Sequence, residues 1–226
     1  MMENGKGNMF YLVIDLEMCK VPRDYRSKSY KYANETIQIG AVLLDETFKR
    51  IGTLCQYVHP EHGVIDYFIE NLTGIKNSQV KNAPKLEEAL SHMIDWIGER
   101  DYKIFAWSES DRDQLLHEIK AKKITDERIH AFVEAEKWID YQAVFKKRFE
   151  LCRQLSLEEA LRRAEIEPEG RFHDGLGDAV NTAYLIEKLE MNPEYQLVSY
   201  EMPDKPSDHL CSTLGELFVG LDLKLA

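Results

Sequence analysis

Asp15 and Glu17 are the residues whose type and spacing most directly suggest chemistry in this chain. They follow the apolar run Phe10–Ile14, and a single residue separates them. Because side chains alternate along a strand, both carboxylates would leave the same face. Two adjacent negative charges repel each other, and a bound cation offsets that repulsion. The pair suggests half of a metal site at the carboxyl end of a strand, although an isolated Asp-x-Glu is more often a solvated strand end.

Three further residues carry groups that suit such a site, namely Asp111, His173 and Asp178. Asp111 stands where a strand pattern gives way to a helix pattern, and Asp178 falls in the last strong helix pattern. His173 precedes Asp178 by five positions, and the glycines between them allow a turn to approach a neighbour closely. Asp113 offers a second carboxylate two positions after Asp111, so the pattern alone leaves a choice between them.

The apolar pattern predicts the strands that position these residues. Residues 9–17 form a near-continuous apolar run, as expected of a central strand covered on both faces, and residues 18–34 are polar and predicted as a loop. The other predicted strands are Thr36–Leu44, Arg50–Val58, Lys103–Trp107 and Trp138–Asp140. The first two of these are expected to form a hairpin.

Helix patterns fill the rest of the chain up to residue 189. They cover residues 65–72, 84–98, 111–122, 141–151 and 175–189, and one more helix starts at Ser156. Ser110 is placed to cap the helix at 111–122, and Ser156 with Glu159 has the spacing of a capping box. The order of elements predicts an α/β fold with a mixed five-stranded sheet flanked by helices on both faces.

The composition is that of an ordinary soluble globular protein, with 226 residues of which 44% are hydrophobic and 31% charged. No apolar run approaches the roughly 18 residues of a membrane span, and the N-terminus has no hydrophobic signal core. A cytoplasmic protein with reduced thiols is therefore expected, because the four cysteines are scattered and form no Cys-x-x-Cys pair. One domain is predicted over residues 9–190, followed by a tail of uncertain role at 191–226.

The formal net charge of −11 argues against a protein that coats nucleic acid, since such proteins usually present a basic face. It does not exclude an enzyme that holds a few phosphates at a metal site. Bound cations reverse the local field there, so the charge of the protein alone does not describe the site.

The set Asp15, Glu17, Asp111, His173 and Asp178 resembles, in this order, the motifs of the DEDDh group of 3′→5′ exonucleases. The fold of that group resembles ribonuclease H. The spacing Asp111-x-x-x-Leu115-Leu116 also resembles a motif of the group and favours Asp111 over Asp113. Asp113 is then interpreted as a first-turn acid that the helix dipole favours.

Longer segments share this resemblance, which covers about residues 9–190. Residues 57–60 and 68–75 are similar to the part of these enzymes that leads from the third strand to a substrate-facing Leu-Thr-Gly-Ile turn. Residues 170–179 are similar to the last motif of one branch. That branch holds the histone-mRNA 3′ exonuclease and a bacterial sporulation inhibitor.

The resemblance implies phosphodiester hydrolysis with two Mg²⁺ ions, or with Mn²⁺, which also suits oxygen ligands. Asp15 would bridge the ions, Glu17 and Asp178 would hold the ion that activates water, and Asp111 would anchor the other mostly through water. His173 would accept the proton of the water, because imidazole has a reference pKa of about 6.5.

The resemblance also implies which residues contact the substrate. Met18 would contact the terminal sugar or base, in a position where many relatives carry small residues or Thr. Leu72, Thr73 and Ile75 belong to the turn that would face the terminal base, and a plain core position is the alternative for Leu72 and Ile75. Asp174 is expected to be solvated, with a hydrogen bond to His173 as the alternative.

These implications predict a metal-dependent 3′→5′ exonuclease that releases nucleoside 5′-monophosphates from single-stranded nucleic acid, with RNA favoured. Two alternatives stay open: a DNA proofreading or repair exonuclease, and a sporulation-regulating binding protein on the same fold. The expected partner is a single-stranded 3′ end. No membrane is expected as a partner, and residues 191–226 are a candidate segment for contact with another protein.

Overall fold

The structure is a computed structural model that describes residues 8–23 and 33–198. Its centre is a five-stranded sheet with the strand order β3-β2-β1-β4-β5. Strand β1 pairs antiparallel with β2 and parallel with β4, which confirms the predicted mixed sheet. The strands are β1 Phe10–Lys20, β2 Asn34–Leu44, β3 Arg50–Tyr57, β4 Tyr102–Ala106 and β5 Trp138–Asp140.

Helices cover both faces of the sheet, as the order of elements predicts. One face packs against α3, α4 and α5, and the other packs against α6, α7 and α8. The two short helices α1 and α2 pack beside the end of β1. The helices are α1 Tyr67–Thr73, α2 Asn77–Val80, α3 Leu86–Ile97, α4 Ser110–Lys122, α5 Glu127–Phe132, α6 Tyr141–Arg148, α7 Leu157–Arg163 and α8 Gly175–Glu190.

Strand β1 is buried on both faces, because Leu12 and Ile14 contribute to one core while Val13 contributes to the other. It continues to Lys20, so the prediction of a loop from residue 18 onward is wrong for its first residues. Met18 and Glu17 pair with residues 36 and 38 of β2, and Ile37 is the extra residue of a β-bulge between them. Such bulges are frequent beside active sites, where they redirect side chains.

Of the two predicted serine caps, the structure shows one. Ser110 is the first residue of α4 and does not cap it; its hydroxyl forms a hydrogen bond of 2.6 Å with the Ser108 hydroxyl instead. Ser156 does cap α7, accepting from the N–H of Glu159 at 3.2 Å. Helix α5 was not predicted, because six residues carry too few apolar positions for a helical period to stand out.

The start of α8 lies unusually close to β2. A Cβ atom on Gly40 would be 2.0 Å from the carbonyl carbon of Gly175. Only glycine therefore fits at position 40, and the approach brings the first turn of α8 to the carboxyl end of β1.

The described part of the C-terminal tail packs against the domain. Tyr195 donates to the carbonyl of Ala164 at 2.9 Å, and the N–H of Val198 donates to the carbonyl of Arg163 at 3.0 Å. Residues 199–226 of the predicted tail lie outside the described residues, and the division of the chain at residue 190 stays a prediction. Among the described helices, none has both the length and the apolar character that a bilayer span requires.

Candidate active site

A cavity of about 590 Å³ opens along the carboxyl half of β1, beyond its pairing with β4, and all five predicted catalytic residues line it. Strand β1 supplies Asp15 and Glu17, α4 supplies Asp111, and the start of α8 supplies Asp178 with His173 just before it. Residues separated by more than 150 positions therefore meet at one end of the sheet, where open α/β sheets place their ligands.

Helix α4 brings Asp111 to the strand through a direct contact with its backbone. The Asp111 Oδ1 atom accepts a hydrogen bond of 3.2 Å from the N–H of Leu16, between the two carboxylates of β1. Asp111 is buried, whereas Asp113 is exposed on the next part of the first turn. Of these two candidates, the structure places Asp111 in the cavity.

Helix α8 holds Asp178 in its first turn with one oxygen committed and one available. Its Oδ2 atom accepts from the backbone N–H of His173 at 2.8 Å. Its Oδ1 atom is buried and has no hydrogen-bond partner among the described residues. A buried carboxylate oxygen without a partner is costly, and a cation is the group that would satisfy it.

His173 sits in a left-handed backbone conformation with φ of 62°. This conformation is uncommon for residues other than glycine, and histidine is among those that tolerate it better than most. It lets the His173 N–H turn back to Asp178 while the side chain remains exposed at the cavity. The imidazole is therefore accessible to a substrate in the cavity.

Asp174 is half-buried and structurally engaged, so the prediction that it is solvated is wrong. Its side chain caps α8 by accepting from the N–H of Gly177 at 3.1 Å. The same carboxylate accepts from the Gln38 side-chain amide at 2.9 Å. The Asp174 carboxylate thus bonds to Gly177 and Gln38, and not to His173 as the alternative prediction had it.

The electrostatics of the cavity are those of crowded carboxylates. Burial, together with the nearby charges of Asp178 and Asp174, raises the pKa of Glu17 to about 8. Burial raises the pKa of Asp111 to about 7, against the opposing effect of its hydrogen bond from Leu16. Burial and then the neighbouring carboxylates raise the pKa of Asp15 and of Asp178 as well.

No lysine or arginine within residues 8–23 and 33–198 forms an ion pair with Asp15, Glu17, Asp111 or Asp178. Ligand atoms of Glu17, His173 and Asp178 lie within 4.8 Å of one another. Clustered carboxylate oxygens without a protein cation are the donor set of a hard divalent cation. The residues therefore fit a divalent-metal site.

Of the four residues predicted to contact the substrate, one lines the cavity. Met18 lines the cavity, but Leu72, Thr73 and Ile75 do not; the residue of α1 that does is Ile69. Ile75 is 2% exposed in a core cluster, and the Thr73 hydroxyl donates to the Ile69 carbonyl at 2.9 Å. The core alternative thus describes Ile75 here, and contact of these three residues with a substrate stays a prediction.

Eleven further lining residues were not predicted from the sequence to line a site, because nothing in their local pattern assigns them to one. They share only their position around the cavity: Leu16, Lys20, Asn34, Trp107, Ser108, Ser110, Gln142, Ser156, Leu157, Glu158 and Phe172. Lys20 is the basic residue among them, and its ammonium lies 5.5 Å from the centre of the exposed Phe68 ring. The signal that would reveal these residues is tertiary proximity, which spacing along the chain does not provide.

Residues 12–186 match the model of the RNase T exonuclease family. The chain belongs to the DEDDh 3′→5′ exonuclease family. The ERI1 exoribonuclease 2 of Homo sapiens is 31% identical over 204 residues, which cover 80% of this chain and 28% of that protein. The protein of the same name from Danio rerio is 32% identical, with 80% and 35% covered. The chain thus spans about a third of the length of these relatives.

Solved structures of DEDDh nucleases share the fold. The nuclease domain of 3′hExo bound to rAMP has a TM-score of 0.69 and 24% identity, with 84% of this chain and 96% of that chain covered. A 3′-exonuclease solved for the recognition of the histone mRNA stem-loop has a TM-score of 0.70 and 21% identity, with 87% and 93% covered. The predicted family and the ribonuclease H-like fold are confirmed, and the similarity to a sporulation inhibitor stays a prediction.

Proposed function

We propose that this chain is a metal-dependent exonuclease that removes nucleoside 5′-monophosphates from the 3′ end of single-stranded nucleic acid, with RNA preferred over DNA. The observation that carries the proposal is the convergence of Asp15, Glu17, Asp111 and Asp178 with His173 on one cavity. A binding protein has no need of buried carboxylates that repel one another. A nuclease needs them to hold cations against a phosphate.

The cations would be two Mg²⁺ ions, with Mn²⁺ as an effective substitute. Asp15 would be shared between the ions, Glu17 and Asp178 would hold one of them, and Asp111 would anchor the other. When bound, such ions supply Lewis acidity toward the phosphate and lower the pKa of water. The free Oδ1 atom of Asp178 supports this assignment.

His173 is assigned as the general base of the reaction. Its exposed ring at the cavity is accessible to a water molecule that attacks the terminal phosphate. The ring takes one proton from that water as the new P–O bond forms, and the bond from the phosphorus to the 3′ oxygen of the preceding nucleotide breaks. That oxygen leaves with the bonding electron pair and takes a proton from solvent to become the new 3′ hydroxyl. The left-handed backbone at His173 lets its N–H donate to Asp178, and a ligand atom of the ring lies within 4.8 Å of one in Asp178.

The cavity supports a terminal nucleotide as the bound unit. Its volume of about 590 Å³ lies within the range of small-ligand sites. Lys20 provides a cation on the wall for a phosphate, while Met18 and Ile69 provide apolar surface for a sugar or base. The names of the relatives support RNA, since they are exoribonucleases and one neighbour was solved with rAMP.

Matched RNA and DNA oligomers with a 5′ label test this proposal directly. With Mg²⁺ or Mn²⁺, the full chain is expected to give a ladder that shortens from the 3′ end, faster on RNA. Asp15→Ala is expected to abolish the ladder. Absence of activity with both metals, or an unchanged rate in Asp15→Ala, would overturn the proposal, and faster cleavage of DNA would favour the repair alternative.

We also propose that the protein is cytoplasmic and that its tail contacts a protein partner. Deletion of residues 199–226 tests the second point and leaves the packed residues Tyr195 and Val198 in place. Full nuclease activity with loss of a cellular phenotype would support a partner role, as the sporulation-regulating alternative requires. Loss of nuclease activity would instead assign the tail to catalysis.

A further inference from the structure

Gln38 lies on β2 directly opposite Glu17 and is 1% exposed. Both ends of its side-chain amide are engaged with the start of α8. The Oε1 atom accepts from the backbone N–H of Gly175 at 2.8 Å, and the Nε2 group donates to Asp174 Oδ1 at 2.9 Å. The Nε2 group also lies 3.3 Å from Cys55 Sγ on β3.

These contacts connect the two halves of the candidate site. Asp174 is the N-cap of α8 and Gly175 is its first residue. His173 directly precedes them, and Asp178 in the same turn accepts from the His173 N–H. Gln38 therefore fixes the segment that carries His173 and Asp178 against the part of the sheet that carries Glu17.

The arrangement of donors and acceptors demands an amide at position 38. A carbonyl oxygen is required toward Gly175, since a backbone N–H donates to it, and an N–H is required toward the Asp174 carboxylate. A glutamate would keep the acceptor and lose the donor, and a methionine would lose both. Contact between Gly40 and Gly175 leaves no room for α8 to move closer and compensate.

We propose that Gln38 is a positioning residue for the exonuclease reaction, which sets the placement of His173 and Asp178 relative to Glu17 without touching the substrate. This inference rests on the proposed function. It deepens that function by naming a residue outside the acidic set on which the rate depends. Small displacements of catalytic groups are sufficient to lower rates by about 100-fold.

Steady-state kinetics of Gln38→Ala give the first test. The kcat is expected to fall by about 10- to 100-fold, while the KM for the oligomer changes little, because the cavity walls that hold the nucleotide are unaltered. The affinity for Mn²⁺ alone, measured by calorimetry, is expected to fall by about tenfold through the displaced Asp178.

A swap of donor and acceptor gives the decisive test. Gln38→Glu is expected to lower kcat, because the new carboxylate at position 38 then faces the carboxylate of Asp174. Combining it with Asp174→Asn restores the pair, since the new amide at 174 donates to the new carboxylate and its oxygen still caps α8. The double variant is expected to recover about tenfold in kcat over Gln38→Glu alone.

Thr36→Val is the matched control for loss of a buried hydrogen bond on the same strand. The Thr36 hydroxyl is equally buried and donates to Glu118 at 2.6 Å, away from α8. This variant is expected to lower Tm to a similar extent as Gln38→Ala and to keep the wild-type kcat. A kcat that follows Tm in both variants, or a double swap without recovery, would overturn the positioning role.

The measurements separate this inference from the proposed function. A wild-type chain inactive on every oligomer would overturn the exonuclease proposal. The Mn²⁺ calorimetry still applies to such a chain, and an affinity unchanged in Gln38→Ala would overturn the positioning role on its own. Activity in the wild type with unchanged kcat in Gln38→Ala would overturn the positioning role alone.

Discussion

The Asp111 carboxylate accepts a hydrogen bond of 3.2 Å from the N–H of Leu16, the residue that lies between Asp15 and Glu17. Helix α4 is thereby tied to the backbone of β1 at the centre of the site. The Oδ1 atom of Asp111 thus anchors the helix, while its carboxylate also lines the cavity. Accepting this hydrogen bond requires an oxygen atom but not a negative charge, so the two contributions of Asp111 can be tested separately.

Asp111→Asn is predicted to test the charge while keeping the anchor. The amide oxygen can still accept from Leu16, so the fold should persist and Tm should not fall. The kcat should fall by roughly 100-fold, because a lost carboxylate weakens the hold on a cation by several kcal/mol. Oligomer cleavage and thermal melts of the variant measure the two effects.

Asp113→Asn is the matched control, since Asp113 is exposed in the same turn of α4. Its kcat is expected to stay at the wild-type level. A loss of rate in this variant equal to that of Asp111→Asn would contradict the assignment of Asp111.

The choice between these two residues illustrates what the sequence predicts well. The apolar run before Asp15 predicts a buried strand, and the motif around Asp111 indicates the acid of the pair that lines the cavity. Both signals are local. Ser110 shows the limit of such signals, because a serine before a helix can equally start the helix as cap it.

Contacts between residues that are far apart along the chain could not be predicted from the sequence. Gln38 meets Asp174 across 136 positions, and nothing in the pattern of β2 indicates that its partner is a helix cap. Ile75 belongs to a turn that was predicted to contact the substrate, yet its side chain packs in the core cluster beside α1 and α2. In both cases tertiary packing decides the role of the residue.

The stability of the metal-free protein is predicted to increase as pH falls from about 8.5 to 5.5. Folding raises the pKa of Glu17 to about 8 and that of Asp111 to about 7, mainly through burial. A raised pKa means that the folded state binds protons that the unfolded state has released, so stability declines as pH rises toward about 8. Melting in EDTA between about pH 5.5 and 8.5 should show this decline.

Added Mn²⁺ should reverse that decline, because the cation binds the ionised carboxylates. The gain in Tm from the metal is therefore expected to be larger at pH 8 than at pH 6. Glu17→Gln should flatten the metal-free profile. A Tm that does not respond to metal at either pH would count against a metal site in this cavity.

His173→Ala is predicted to lose about 100-fold or more in kcat while its affinity for Mn²⁺ changes little, because the four carboxylates remain. The side chain is exposed at the cavity, so removing it leaves an opening to solvent. Added imidazole should therefore restore part of the rate. Recovery that increases with imidazole concentration would identify the lost group as a base.

Full activity of His173→Ala without imidazole would remove His173 from the chemistry. A loss of Mn²⁺ affinity that accounts for the whole loss of rate would make His173 a ligand instead. The His173 ring is exposed, and it lies close to Glu17 and Asp178. Calorimetry with Mn²⁺ therefore has to distinguish a general base from a metal ligand.

Lys122→Met is predicted to destabilise the fold while leaving the candidate site intact. The Glu35 side chain is fully buried and accepts from Lys122 Nζ at 2.6 Å and from the His62 N–H at 2.7 Å. Burial alone would raise the pKa of Glu35, and the hydrogen bond and charge of Lys122 hold it below its usual value. Removing the ammonium leaves a buried carboxylate without its cation, at a cost of about 3–5 kcal/mol.

Urea denaturation at neutral pH measures that loss, and Glu35→Gln combined with Lys122→Met should recover part of it. The wild-type protein should lose the same stabilisation as pH falls through the lowered pKa of Glu35, since the unfolded state takes up the proton first. The Lys122→Met variant should lack this acid-dependent loss. An unchanged free energy of unfolding in that variant would show that the backbone N–H donors of the 61–63 turn are sufficient to hold the Glu35 charge.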